Sequence, residues 1–301
     1  MRKPHPLRPG DIIGVVSPAA AVDESALRTG LDLIEQAGFR VRLGASVLER
    51  RGYLAGSDQE RADDFHAMLR DPDVTAVIAS RGGYGSGRLL PRIDPAALRE
   101  HPKIVLGHSD VTFLLNDLVR RAGVVTFHGP MVANFARRPE TAAAVLAFLG
   151  GDRSAWHQPG REIVQPGMAE GRLVGGNLSV LVATLGTPYV PDTRDGILFL
   201  EDVNEKPYRV DRMLTQLRQA GVLDAVAGVV FGDMVDCTAG DDEHVTVRDV
   251  IAEAFARAPY PVAFGLASGH GDGLVTLPLG VRARLAGERL TLLESPFSEQ
   301  V

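Results

Sequence analysis

Apolar positions along the chain follow two rhythms that alternate. Asp11–Val16 (DIIGVV) is a continuous apolar run and predicts a buried strand. After Ser17, Pro18 and several small residues, Leu27, Leu31 and Ile34 recur at the spacing of one helix face, and Gly38 stops that helix. Phe39–Leu43 predicts the next strand, and Gln59–Arg70 a helix with Phe65, Met68 and Leu69 on one side. Val74–Ser80 (VTAVIAS) and Lys103–Gly107 are further strands. The second runs directly into a helix marked by Leu114, Leu115, Leu118 and Val119. Val124–Phe127 and an alanine-rich helix over Thr141–Leu149 complete the series. Alternation of this kind predicts an α/β fold with right-handed crossovers, a mainly parallel sheet, and ligands at the carboxyl ends of the strands.

The rhythm then stops. Residues 151–168 collect glycine, proline and charge without a repeat, which predicts a linker between a first domain, residues 1–150, and a second, residues 169–301. Trp156, the single tryptophan, lies in it, either lining a cleft between the domains or anchoring the linker. Gly171–Leu185 opens with a glycine-rich turn whose Gly175, Gly176 and Asn177 are placed towards the interdomain cleft, and continues as an apolar segment. Ile197–Glu201 reads as a buried strand ending in a carboxylate, Tyr208–Leu217 as a helix and Ala227–Phe231 as a strand. Short strands over Val262–Leu266, Leu274–Leu277, Val281–Leu285 and Arg289–Leu293 make this domain richer in β structure than the first.

Composition narrows the partners. With 301 residues, 45% hydrophobic and 23% charged, the chain can fill two cores. A net charge of −6 supplies no attraction to nucleic acid or to an anionic membrane, so a small molecule is the expected partner. The basic start MRKPHPLRPGD is broken by prolines and lacks the apolar core of an export signal. No apolar run approaches the ~20 residues of a membrane span, and Cys237, alone in the sequence, forms no internal disulfide. A cytoplasmic location is expected.

Candidate chemistry gathers at strand ends. Ser109 sits where the Lys103–Gly107 strand becomes a helix, so its side chain is presented at the sheet edge beside the free N–H groups of that helix. Gly107-His108-Ser109-Asp110-Val111 follows the nucleophile elbow G-x-S-x-G without its last glycine; the alternative is a serine N-cap. The segment Ser80–Arg88 (SRGGYGSGR) has the build of an anion-binding loop, without Walker A spacing; a surface turn is the alternative. Arg81 and Arg88 fit it for a carboxylate. Glu201 is either a solvated strand terminus or a group that orients a base. His270, between two glycines with Asp272 beyond, is a candidate base, whereas His128 reads as structural and His108 points away from the serine. The acidic segment DMVDCTAGDDEH lacks metal-ligand spacing and reads as a solvated loop, so no metal or cofactor is expected.

Four stretches together, GHSD at 107–110, RGGYG at 81–85, LEDVNEKPYRVDRMLTQ at 200–216 and GHG at 269–271, resemble the LD-carboxypeptidases, a serine peptidase family that includes the microcin-immunity peptidases. The resemblance covers nearly the whole chain. It implies a flavodoxin-like first domain, a β-rich α/β second domain, an active site between them and, commonly, a homodimer. It implies a triad of Ser109, Glu201 and His270, with an oxyanion hole formed by the backbone N–H groups of Asp110 and Gly83. The implied reaction releases terminal D-alanine from cytoplasmic muropeptide tetrapeptides during cell-wall recycling. Arg81, adjoining those glycines, is the expected clamp for the terminal carboxylate, with Gly82, Tyr84 and Asn177 also on the substrate. The microcin-immunity branch hydrolyses aminoacyl-nucleotide mimics and is expected to stack aromatic residues on the base. Gly175–Ser179 (GGNLS) has no aromatic there, which favours the muropeptide, while Trp156 keeps the nucleotide open. A reading from another class is a non-catalytic anion- or sugar-binding protein that uses the glycine loop. A glutamine amidotransferase-type hydrolase is set aside because it needs a cysteine at the elbow and Cys237 lies in a polar loop.

Overall fold

The computed structural model describes residues 1–152, 162–240, 244–272 and 275–299. The expectations placed on Trp156, on the middle of the linker and on Leu274 lie outside those residues. The chain divides into two compact units. Of the described residues, the first holds 1–152, 276–279 and 296–299, and the second holds 162–240, 244–272, 275 and 280–295.

In the first unit the elements run β1 (Ile12–Val16), α1 (Glu24–Gln36), β2 (Arg40–Leu43), α2 (Asp58–Arg70), β3 (Val74–Ala79), α3 (Ala96–Glu100), β4 (Ile104–Gly107), α4 (Thr112–Ala122), β5 (Thr126–His128), α5 (Val132–Arg137) and α6 (Pro139–Leu149). Asp23 caps α1 by accepting from the Ala26 N–H, and Ser57 with Glu60 forms a capping box on α2. Strands β5-β4-β3-β1-β2 are all parallel in that order, the doubly wound flavodoxin-like arrangement. The inner strands β1, β3 and β4 are buried and apolar along nearly their whole length because helices cover both faces of such a sheet, whereas the edge strand β2 (RVRL) is largely exposed. The strand order reverses between β1 and β3, and there the buried hydroxyls of Ser17 and Ser80 meet at 2.6 Å.

The second unit contains β6 (Glu162–Gln165), β7 (Met168–Asn177), α7 (Leu178–Val182), β8 (Ile197–Val203), α8 (Pro207–Gln219), β9 (Gly228–Val235), α9 (Val247–Phe255) and β10 (Val262–Phe264). Three strands follow, β11 (Leu277–Leu279), β12 (Arg282–Ala286) and β13 (Arg289–Leu292). The sheet order is β13-β12-β7-β8-β9-β10-β6, with β7 to β10 parallel and the outer strands antiparallel. Leu200, Leu214, Phe231, Ile251 and Phe255 pack α8 and α9 onto it. β11 instead pairs antiparallel with β5 at the edge of the first sheet, where Pro278 is tolerated. The sequence boundary at residue 169 does not anticipate that return, because a three-residue strand carries no periodicity of its own.

Three expectations change in the second unit. Gly175 and Gly176 are not a turn but the end of β7, paired with Phe199 and Leu200. A Cβ on Gly175 would lie 2.0 Å from the Phe199 carbonyl oxygen, so glycine serves close strand approach there. Glu201 does not end its strand, since β8 continues to Val203. The start of the acidic segment, Asp233 to Val235, is strand β9 rather than loop. No helix among the described residues is long and apolar enough to cross a membrane.

Candidate active site

The serine corner is built within the first unit. Ser109 adopts φ 59°, a left-handed conformation that costs a non-glycine residue roughly 1–2 kcal/mol. Such strain persists only where the surroundings hold it. A Cβ on Gly107 would lie 2.6 Å from the Val111 side chain, so Val111 fills the space the glycine leaves, and the missing last glycine of the elbow is accounted for. On the other side the glycine loop lies against the serine. A Cβ on Gly82 would come within 2.9 Å of Ser109 Cβ and 3.2 Å of its Oγ. Gly83 has φ 107° and is packed so closely on Ala20 that a side chain there would clash at 2.5 Å.

Two buried charges grip this loop. The Asp110 carboxylate accepts the Ser86 N–H at 2.7 Å, and the Asp110 carbonyl accepts the Ser86 hydroxyl. Burial raises the Asp110 pKa, opposed by hydrogen bonds from the Ser86 and Gly85 backbone. From the opposite side Arg61, with a fully buried side chain, donates to the carbonyls of Pro18 and Gly85 and pairs with Asp58. Gly85 must be glycine, since a Cβ there would lie 2.9 Å from the Arg61 guanidinium. Neither role was visible in the sequence, where Arg61 resembles a solvated helix charge. Replacing Arg61 with methionine leaves the carbonyls of Pro18 and Gly85 without this donor and Asp58 with Arg88 alone, and is expected to lower the unfolding free energy by ~3 kcal/mol in urea titrations.

Other named residues of this unit occupy defined places. Arg81 and Tyr84 are exposed, and Arg81 reaches the Ala21 carbonyl at 3.3 Å. His128 is buried on β5 with its ring edge-on to His108, whose Nε2 meets Asn134 Oδ1 at 3.1 Å.

The histidine site is built within the second unit. Glu201 is fully buried on β8, and its Oε2 lies 2.7 Å from His270 Nδ1. The register of β8 against β9 slips between Leu200 and Asp202, so Gly232 and Asp233 together face Glu201 across a β-bulge. The bulge stitches the histidine turn in place. Asp233 N–H donates to the Ser268 carbonyl at 3.0 Å, and the Asp233 carboxylate accepts the Gly271 N–H at 3.1 Å. Gly269, at φ 134°, lies on Glu201, where a Cβ would come within 2.7 Å of the carboxylate. The imidazole therefore sits on a turn that only glycines on both sides permit.

Electrostatics follow from this packing. Burial acts to lower the His270 pKa, but the Glu201 hydrogen bond and the surrounding carboxylates outweigh it and the net shift is upward. Burial pushes Asp233 up to about 6, with the Gly271 N–H opposing and the Glu201 charge adding. Asp233 carries no signal of this role in the sequence, because a bulge has no signature in a single strand. Asn177 caps α7 through its side-chain oxygen and donates to Asp202 at 3.1 Å. Among the described residues no group of three or more His, Cys, Asp or Glu is placed to hold a metal ion.

Known proteins share this arrangement of sequence. Residues 13–129 match the family described as the LD-carboxypeptidase N-terminal domain, and residues 170–285 the LD-carboxypeptidase C-terminal domain. A Bacillus subtilis protein named a probable murein peptide carboxypeptidase is 39% identical over 99% of this chain and 96% of its own length. The chain belongs to the LD-carboxypeptidase family. Two solved structures agree with that membership. Muramoyltetrapeptide carboxypeptidase from Oxalobacter formigenes superposes with a TM-score of 0.81 at 33% identity, covering 93% of this chain and 97% of that one. MccF in complex with glutamyl sulfamoyl guanosine superposes with a TM-score of 0.89 at 26% identity, covering 98% and 99%. The first family segment contains the glycine loop and Ser109, and the second contains Glu201 and His270.

Proposed function

We propose that this LD-carboxypeptidase family member is a serine enzyme that releases terminal D-alanine from muropeptide tetrapeptides, with Ser109, His270 and Glu201 acting as one triad. The observation that carries the reading is the short His270–Glu201 bond to a fully buried carboxylate. That geometry presents imidazole Nε2 as the acceptor of a proton. His270 takes the proton of Ser109 as its oxygen attacks the amide carbonyl, and the resulting oxyanion meets the N–H groups of Asp110 and Gly83. Collapse expels D-alanine, whose nitrogen receives the proton from His270. Water, deprotonated by the same imidazole, then hydrolyses the ester on Ser109. Arg81 holds the terminal carboxylate, and Gly82, Tyr84 and Asn177 contact the substrate. The reaction belongs to cytoplasmic cell-wall recycling and is carried out by a homodimer.

The base works only when neutral. Because its pKa is raised, kcat/KM falls as the pH drops through a value above the usual imidazole pKa of ~6.5. Asp233 contributes to that rise, so Asp233→Asn is expected to move the acid limb to lower pH, read from a pH–rate profile. An unmoved limb would remove Asp233 from the account. His270 and Asp233 act on each other's charge, so the limb reports the pair.

Hydrolysis of an aminoacyl sulfamoyl nucleotide is the second reading, favoured by the similarity to MccF. The primary reading is tested by offering the tetrapeptide ending in D-alanine and its diastereomer ending in L-alanine. Cleavage of the first alone is expected, and equal cleavage of both would refute LD specificity.

A further inference from the structure

The serine corner and the glycine loop are tied together twice. On the far side of Ser109 the tie is direct, since Asp110 holds Ser86. On the near side it runs through α5. The Ala133 N–H donates at 2.9 Å to the carbonyl of buried Ser80, the residue from which the loop starts. One residue on, Asn134 Oδ1 accepts the Met131 N–H at 2.9 Å and meets Nε2 of buried His108 at 3.1 Å. Residues 80–86 and 108–110 are thus cross-linked at both ends, and Gly82, Gly83 and Ser109 lie between the two links.

The orientation of the Asn134 amide follows from its partners. A backbone N–H only donates, so the atom facing Met131 is the oxygen, and the imidazole nitrogen facing that same oxygen must carry a proton. One oxygen therefore takes donors from two places, the turn before α5 and the end of β4. His108 immediately precedes Ser109, whose φ of 59° persists only where its neighbours are held. The His108 ring also stands edge-on to His128, and the Gly129 N–H donates to the Gly107 carbonyl at 2.9 Å, so the end of β5 supports the same corner.

We propose that Asn134 is a positioning residue for the nucleophile: by holding His108 it sets the distance from Ser109 to the N–H groups of the glycine loop. The proposal rests on Ser109 being the nucleophile, and it concerns the first unit alone. Its effect falls on kcat, because the spacing of nucleophile and oxyanion donors counts in the transition state rather than in ground-state binding.

The test measures D-alanine release by the full chain, by Asn134→Leu, Asn134→Asp and His108→Phe, and by the variant carrying both Asn134→Leu and His108→Phe. Leucine has nearly the shape of asparagine but no acceptor, aspartate keeps the oxygen, and phenylalanine keeps a ring against His128 without the donor. Asn134→Leu and His108→Phe are each expected to lower kcat about thirtyfold with KM within about twofold of the parent, and Asn134→Asp to stay within about threefold in both. The double variant should be no slower than the slower single one, since both substitutions remove the same bond. Imidazole nitrogen NMR should find His108 protonated on Nε2. Should Asn134→Leu not fold, His108→Phe against Asn134→Asp decides alone. An unchanged kcat in the variants that remove the bond, losses that multiply in the double variant, or a His108 ring protonated only on Nδ1 would each overturn the positioning role and leave the carboxypeptidase reading intact. If the parent releases no D-alanine, that reading fails, and the same ratios are read with glutamyl sulfamoyl guanosine, where a similar loss of kcat upholds the positioning role. A parent inactive on both substrates refutes both.

Discussion

Replacing Ser109 with alanine is expected to slow D-alanine release by about 10⁴-fold or more while the protein stays folded. The hydroxyl is small and the corner around it is set by Gly107, Val111 and Gly82 rather than by the oxygen, so alanine fits the same space. What disappears is the covalent route, leaving only water attack assisted by the oxyanion donors. A companion variant separates strain from chemistry. Ser109→Gly removes the Cβ that makes φ 59° costly, so it is expected to be equally inactive but more stable than Ser109→Ala by ~1 kcal/mol, read from urea titrations. If Ser109→Ala retained more than about a hundredth of the parent rate, the nucleophile would have to be sought elsewhere.

The second large effect is expected at Glu201. Glu201→Gln is close to isosteric and should fold, yet it replaces the acceptor facing His270 Nδ1 with an amide that turns either its oxygen or its N–H to the ring. The imidazolium formed during attack loses its buried counter-charge, and the imidazole is no longer held in one tautomer. A fall in kcat of ~10³–10⁴-fold with little change in KM is expected. Stability is predicted to hold or rise, because Glu201 buries a charge and its Oε1 has no hydrogen-bond partner among the described residues. Loss of activity together with loss of the fold would mark Glu201 as structural.

Much of the first unit was legible in the sequence because its inner strands β1, β3 and β4 are buried and read as nearly unbroken apolar runs. The Ser109 corner was visible for a related reason: strand β4 changes to helical spacing with only a few residues between. Other features were hidden by their dependence on partners distant in sequence. Gly175 and Gly176 look like a turn until Phe199 is seen pressing on them from the neighbouring strand. Arg61 looks solvated until the loop carbonyls of Pro18 and Gly85 close over it. Asp233 acquires its role only through a bulge defined by two strands, and β11 leaves its neighbours in sequence to pair with β5. Local pattern reports burial and period, whereas these roles arise from pairing.

A competition between two substrates decides whether this chain acts as a muropeptide carboxypeptidase. The parent protein is given equal concentrations of a murein tetrapeptide ending in D-alanine and of glutamyl sulfamoyl guanosine, and both sets of products are quantified by mass spectrometry. One D-alanine is expected for each tripeptide formed, with kcat/KM for the tetrapeptide exceeding that for the nucleotide. An intact tetrapeptide beside a hydrolysed nucleotide would contradict that expectation.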